Sequence, residues 1–407
     1  MNSDHPLSIE EAIPPPGIRS RVGPTSLLAA KYPGAIGAWV AEMSYGVARP
    51  IHDALKREMG AETLGYNDPV SIGLARESVV RWMKNGYDWS VPENSIGFVS
   101  DVVTGYGAVL HHFLPAGSEV IVPTPAYAPL LTVPSLFGHR VVQVPSRTGD
   151  TGHHMDLEGI ERALERGARL VVLCNPNNPT GRVFTAEELG RLARLVDRHG
   201  ARVFSDEVHA PLTLAPVPHI PYATISAAAA SHTITATSAS KGWNISGLKC
   251  AQLIFSAPED AEHWQQVADF FVRSVSRLGV AALCAAYDHP ESHAWLASVR
   301  ARLVRNNALV ADTVARHLPD VRHFPAEATY LAWLDWRGLG PDEPAAFFRD
   351  RVGLAMSDGS EFAAPGHLRL NFALPEDLLR TALSALVRGA DILRSGRQHG
   401  KAVTHHA

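Results

Sequence analysis

Residues 238–244 read Ser238-Ala-Ser240-Lys241-Gly-Trp-Asn244 and follow the β-branched, alternating run Thr233-Ile-Thr-Ala236. Such a run predicts a buried strand, so the lysine stands at a strand end with small hydroxyl residues beside it. Alone this means little, because a surface-loop lysine among serines is common. Two upstream segments change its weight. Phe204-Ser-Asp206-Glu-Val-His209 closes the apolar run Arg202–Phe204 with an acid, and Cys174-Asn-Pro-Asn-Asn178-Pro-Thr-Gly181-Arg182 is a dense turn after the run Leu170–Cys174. By itself the aspartate reads as a helix N-cap, and the turn as no more than a turn. Taken together, in the order turn, acid, lysine, each after a predicted strand, they describe one sheet whose strand ends carry polar groups. Strand ends are where α/β sheets place ligands.

Outward from this centre, Glu119–Val122, Arg140–Val144 and Ala251–Phe255 read as further strands, with amphipathic segments between them. Thr185 and Glu188 form a capping box for a helix Ala186–His199, with Gly200 in the C′ position, and Asp156 and Gly167 bracket another helix. Buried strands alternating with helices predict an α/β domain with a mainly parallel sheet. From about Arg302 the pattern changes: a long helix, the strand-like Ala328–Asp335, a helix from Glu343, the strand-like His367–Phe372 and a last helix from Pro375. That order predicts a smaller α+β domain. The expected division is an N-terminal arm and part of the small domain in 1–50, the large domain in 51–300, the small domain in 301–395 and a disordered tail in 396–407.

The bulk numbers set limits on function. A chain of 407 residues suits one large α/β domain carrying a smaller one. With 46% hydrophobic and 19% charged residues and a formal net charge of -4, no electrostatic case exists for nucleic acid or an anionic membrane. A small-molecule partner is expected. The three cysteines, Cys174, Cys250 and Cys284, lack metal or redox spacing, and the paired histidines have no ligand-spaced acid or cysteine near them. No metal site is expected. The start, Met1 to Gly17, is polar and acidic and lacks a secretory pattern, and no apolar run approaches the roughly 20 residues that cross a bilayer. The expectation is a cytoplasmic protein.

A lysine at a strand end, an acid at the end of another predicted strand and hydroxyl donors beside the lysine are what pyridoxal 5′-phosphate (PLP) chemistry requires: an amine for a Schiff base, an anion for the pyridine nitrogen and donors for the phosphate. The chain resembles the fold-type I PLP enzymes, the aspartate aminotransferase superfamily of class I/II, from about Arg21 to Leu393. Within it the chain is most similar to the MalY/PatB group of cystathionine β-lyases, which are carbon–sulfur lyases. Besides the three segments above, the resemblance rests on Trp39-Val-Ala-Glu-Met43, Leu64-Gly-Tyr66, Pro123-Thr-Pro-Ala-Tyr127, Asn244-Ile-Ser-Gly-Leu248, Ala328-Thr-Tyr-Leu-Ala-Trp-Leu334 and Arg369-Leu-Asn-Phe372. It implies that Lys241 holds the cofactor and removes the substrate's α-proton, that Asp206 pairs with the pyridine nitrogen, that Asn178 and His209 stand near the phenolic oxygen, and that Tyr127 stacks on the ring. Ser238, Ser240, Lys249 and the amides of Val102 and Val103 are implied for the phosphate. Tyr66 is implied to reach the phosphate of a neighbouring subunit, which makes the expected active unit a homodimer. Arg369 is implied to grip the substrate carboxylate, with Tyr45 lining the entrance.

Three departures accompany the resemblance. The group usually carries an acidic pair and an aromatic where this chain has Glu42-Met-Ser-Tyr45, a glycine where it has Asp101, and a threonine where it has Gly242. Asp101 is either an N-cap turned outward or evidence of a one-residue shift in alignment. The resemblance favours β-elimination of a thiol from cystathionine or another cysteine S-conjugate, giving pyruvate and ammonia. Transamination, a specialised pathway reaction on a bulky cysteine conjugate, and a non-catalytic sensor retaining the fold stay open as alternatives.

Overall fold

The computed structural model describes residues 31–32, 34–61, 64–214, 217–340 and 343–404. Of the expected N-terminal arm, residues 1–30 lie outside the described residues, as do 405–407 of the tail. The centre of the molecule is a seven-stranded sheet in the order Ile96–Val99, Ala251–Phe255, Thr233–Thr237, Arg202–Asp206, Leu170–Cys174, Glu119–Thr124, Arg140–Pro145. All neighbours run parallel except Ala251–Phe255, which is antiparallel to both of its partners. Val172, Phe204 and Ile234 pack into one core with Tyr106 and Trp264, while Val171, Leu173 and Val203 pack into another with Leu189 and Leu192. Successive residues thus serve opposite faces, and both faces are covered, as a parallel sheet requires.

Six of these strands coincide with the predicted runs, and the seventh, Ile96–Val99, was not legible. It is short and broken by Gly97, where a Cβ would lie 2.2 Å from Trp264 Nε1, so glycine is there to admit the indole. The capping box at Thr185 and Glu188 is made, with both bonds present, over the helix Ala186–Arg198, and Gly200 takes φ +57°. Asp156 caps Leu157–Glu165 by accepting from Gly159 N.

The smaller unit is a four-stranded antiparallel sheet in the order Arg322–His323, Leu331–Asp335, His367–Asn371, Ser357–Asp358. Helices Pro344–Val352 and Glu376–Thr404 belong to it, and Ile36–Gly37 joins it by pairing with Leu354–Ala355. The predicted long helix begins well before Arg302: it is Pro290–His317, started by His289 as N-cap and proline in the first turn, so it runs unbroken through the expected domain boundary at 300–301. The last helix continues to Thr404, past the point at Ser395 where the sequence suggests an end. Among the described residues, no helix is long and apolar enough to cross a membrane.

Candidate active site

The register of the sheet assembles the site. Cys174 lies opposite Asp206, and Asp206 opposite Ala236, so the turn 175–182, the acid and the segment 238–241 emerge side by side at the carboxyl ends of three adjacent strands. Two main-chain bonds extend the pairing past the strands, Asn175 N to Asp206 O and Glu207 N to Ala236 O.

Asp206 is buried, and among the described residues its Oδ1 accepts only the amide of Val208 at 3.2 Å. Burial pushes its carboxyl up to about 6, because removal from water penalises the anion more than the Val208 amide and the charge of Lys241 favour it. Its neighbour Glu207 faces away, accepting from Ser205 Oγ at 2.8 Å and Tyr222 N at 3.0 Å and lying 2.9 Å from His219 Nε2. Lys241 Nζ donates to the Ala41 carbonyl at 2.9 Å. Burial, with Arg369 adding to it, brings the ammonium down to about 8. About half of the amine is then neutral at pH 8, against well under one part in a hundred for an ordinary lysine.

Arg369 projects from the strand His367–Asn371 and is almost wholly buried. It donates to Asn178 Oδ1 at 2.8 Å, Trp39 O at 2.7 Å and Ser357 Oγ at 3.1 Å, and its guanidinium lies 4.7 Å from the centre of the Phe362 ring. Its Nε is buried without a partner, and among the described residues no carboxylate lies within ion-pair distance of it. A buried cation without an ion-paired anion is costly, and an anion brought to it would offset that cost. Because Asn178 accepts through Oδ1, its amide NH2 is left to donate elsewhere.

His209 is buried, its ring 5.9 Å from that of Tyr330 in an edge arrangement, and its Nδ1 has no partner. Burial holds its imidazole well below the usual range, so the ring is neutral. Tyr127 is half-buried at the start of the helix Ala128–Leu136 and feels both Arg369 and Asp206. These residues therefore lie within electrostatic reach of one another.

The residues expected to hold the phosphate are engaged within the chain. Asp101 is an N-cap: its Oδ1 accepts from Thr104 N at 2.8 Å at the head of the helix Val102–Phe113, and its Oδ2 pairs with Lys249 Nζ at 3.0 Å. The aspartate is thus an N-cap, as one of the two alternatives held, but its second oxygen turns to Lys249. Ser238 Oγ donates to Cys250 O at 2.7 Å and accepts from Ser240 N, so that hydroxyl shapes the loop. Tyr66 is 83% exposed and makes no described hydrogen bond within the chain.

Tyr45 corrects the sequence reading. It is buried, its hydroxyl donates to Leu374 O and accepts from Asn306 Nδ2, and it anchors the core rather than lining an entrance. Gly242 stands in a tight place: a Cβ there would meet Pro211 Cβ at 3.0 Å and Cγ at 3.3 Å, so a side chain would require Pro211 to shift by a few tenths of an ångström. What the sequence did not show is the role of the segment 39–45, whose carbonyls are taken in turn by Ser357 and Arg369, Asn371, Tyr330 and Lys241, and Asn244. A main-chain acceptor has no residue signature.

The residues fit PLP. A buried amine near its neutral point, a buried carboxylate with no cation bonded to it and a neutral imidazole whose Nδ1 has no partner among the described residues suit, in chemical type, an aldehyde, a pyridinium and a phenolic oxygen.

Residues 40–386 match the family model described as Aminotransferase class I and II. The chain is 32% identical over 347 residues to the cystathionine β-lyase of Corynebacterium glutamicum, an alignment that covers 85% of this chain and 91% of that protein. It is 29% identical to the cystathionine β-lyase PatB of Bacillus subtilis, over 86% of this chain and 92% of the other. A crystal structure of the PLP-bound C–S lyase from Staphylococcus hominis matches with a TM-score of 0.85 at 25% identity, over 94% of this chain and 98% of that one.

Proposed function

The chain belongs to the aminotransferase class I and II family, and on that premise we propose that it is a PLP-dependent β-lyase cleaving cystathionine or another cysteine S-conjugate to a thiol, pyruvate and ammonia. The observation that carries the reading is the buried Arg369, without a carboxylate partner among the described residues, within electrostatic reach of Lys241. An α-amino acid brings the missing anion and a proton at its α-carbon for the nearby amine.

When bound, PLP supplies the electron sink that makes that α-proton acidic. Lys241 would hold the cofactor through Nζ and, once displaced, take the α-proton, a task suited to a base poised near neutral pH. Asp206 would hold the ring nitrogen's proton, and Asn178 would donate Nδ2 to the phenolic oxygen. Ser240, the Val102 and Val103 amides and, on leaving Asp101, Lys249 would take the phosphate. The exposed Tyr66, with Leu64 and Val70 exposed near it, supports a dimer in which this tyrosine serves the neighbouring site.

The test is a product assay with L-cystathionine and S-alkyl cysteines, following pyruvate and thiol together. Pyruvate with one equivalent of thiol is the expected result, and a keto acid without thiol would replace the lyase by a transaminase. Lys241→Ala should lower turnover by at least ~100-fold. Activity surviving that change would remove Lys241 from its role.

A further inference from the structure

Tyr330 is 1% exposed, yet its hydroxyl reaches the same acceptor as the lysine: Tyr330 Oη and Lys241 Nζ each lie 2.9 Å from the Ala41 carbonyl oxygen. A carbonyl has two lone pairs, and here both are used. The carbonyl itself cannot drift. Its neighbours are fixed on either side, Trp39 O by Ser357 and Arg369, Val40 O by Asn371 at 2.8 Å, Met43 O and Tyr45 O by Asn244 at 3.0 and 2.9 Å. The hydroxyl therefore rations a rigid acceptor.

We propose that the Ala41 carbonyl is the seat in which the Lys241 amine rests whenever it is not bonded to the cofactor, and that Tyr330 is a positioning residue that keeps this seat to a single lone pair. The proposal rests on the assignment of Lys241 above. An ammonium has three protons to place and a neutral amine can manage with one acceptor, so a half-occupied carbonyl in a buried site favours the neutral amine, the form that captures an aldehyde. Removing the hydroxyl frees the second lone pair and strengthens the hold on the ammonium.

The groups that act on this seat are few. Arg369 and Lys249 oppose a charge on Lys241, whereas Glu42 and Asp206 favour it, and Tyr330 itself faces Arg369, Glu42 and the His209 ring. None of these is altered by Tyr330→Phe, which also preserves the ring packing.

The experiment strips PLP from the full-length protein and follows, by absorbance in stopped flow, the rate of PLP recapture against pH. Wild-type protein should show a midpoint near the lysine's lowered titration, and Tyr330→Phe should move the midpoint up by ~1 unit, one hydrogen bond to a charged group. The plateau rate at high pH should stay within about twofold, since the neutral amine is the same. Tyr45→Phe is the control, because it removes a hydroxyl from the same segment without touching Ala41, and its midpoint should stay in place. An unmoved or lowered midpoint in Tyr330→Phe, or an equal shift in Tyr45→Phe, overturns the proposal. Borohydride trapping followed by peptide mass separates the two levels: PLP found on a lysine other than Lys241 would overturn the functional reading itself, whatever Tyr330 does.

Discussion

Asp206→Asn should stabilise the protein without its cofactor and cripple it with the cofactor. The carboxyl is fully buried and pushed up to about 6, some two units above its ordinary value. Between those two values the folded state keeps a proton that the unfolded state has released, so stability falls as pH rises through the window. Above pH 6 the whole penalty is present, about 3 kcal/mol at 1.36 kcal/mol per unit. Asparagine has the same shape, can still accept from Val208 N and carries no charge to desolvate. For 407 residues at about 2.1 cal/mol/K per residue, 3 kcal/mol corresponds to a rise in Tm of about 3–4 °C at pH 8. At pH 4.5, where wild-type Asp206 is protonated, most of the advantage should vanish. Differential scanning of the stripped proteins at both pH values measures this. With PLP added the order should reverse, because only the carboxylate gains a cation. A variant no more stable than wild type at pH 8, or an advantage of equal size at pH 4.5, would refute the claim that the carboxyl is destabilised by burial.

Two other substitutions test the departures from the family pattern. Gly242→Thr should cost about 1–3 kcal/mol in thermal or denaturant unfolding, because its Cβ and branches enter the space of Pro211; an unchanged Tm would mean that Pro211 yields freely. Asp101→Asn retains the N-cap and breaks a partly exposed ion pair, so fold stability should change by less than about 1 kcal/mol while PLP binds severalfold tighter, most clearly at low salt. Equal or weaker PLP affinity in that variant would show that Asp101 does not compete for Lys249.

Most of the fold was legible because its signals are local. Six strands announced themselves as β-branched apolar runs, and two helices by caps whose bonds are present in the structure. The strand Ile96–Val99 was missed because its glycine, which reads locally as a break, answers a distant tryptophan. The turn at Asn178, Asp206 and Lys241 were legible by type and order, His209 and Arg369 only through the resemblance, and the structure brings all five near one another. Tyr45 was misplaced because an aromatic beside a motif looks the same whether it faces a ligand or a core asparagine; Asn306 lies 261 positions away in sequence. Asp101 and Gly242 looked like defects until their partners, Lys249 and Pro211, were in view. Such compensation is pairwise and long-range, and one sequence without its fold does not display it.

The ionisable groups of the pocket point to a common design. Asp206 is shifted up and Lys241, His209 and Arg369 are shifted down, each toward its neutral form, with burial as the largest cause in all four. Structural ion-pair networks move carboxylates and cations the other way, toward charge, as the Arg81 and Asp288 pair on the surface does. The site is therefore a set of groups removed from water by the fold itself. Desolvation is met once, on folding, and a ligand that supplies a cation to Asp206 and an anion to Arg369 is bound by interactions that need no further dehydration of the protein. That explains why stability and function should diverge at Asp206, and why a residue such as Tyr330, which does no more than occupy a lone pair, can matter: burial sets the direction of the lysine's shift, and the sharing of a single carbonyl adjusts it.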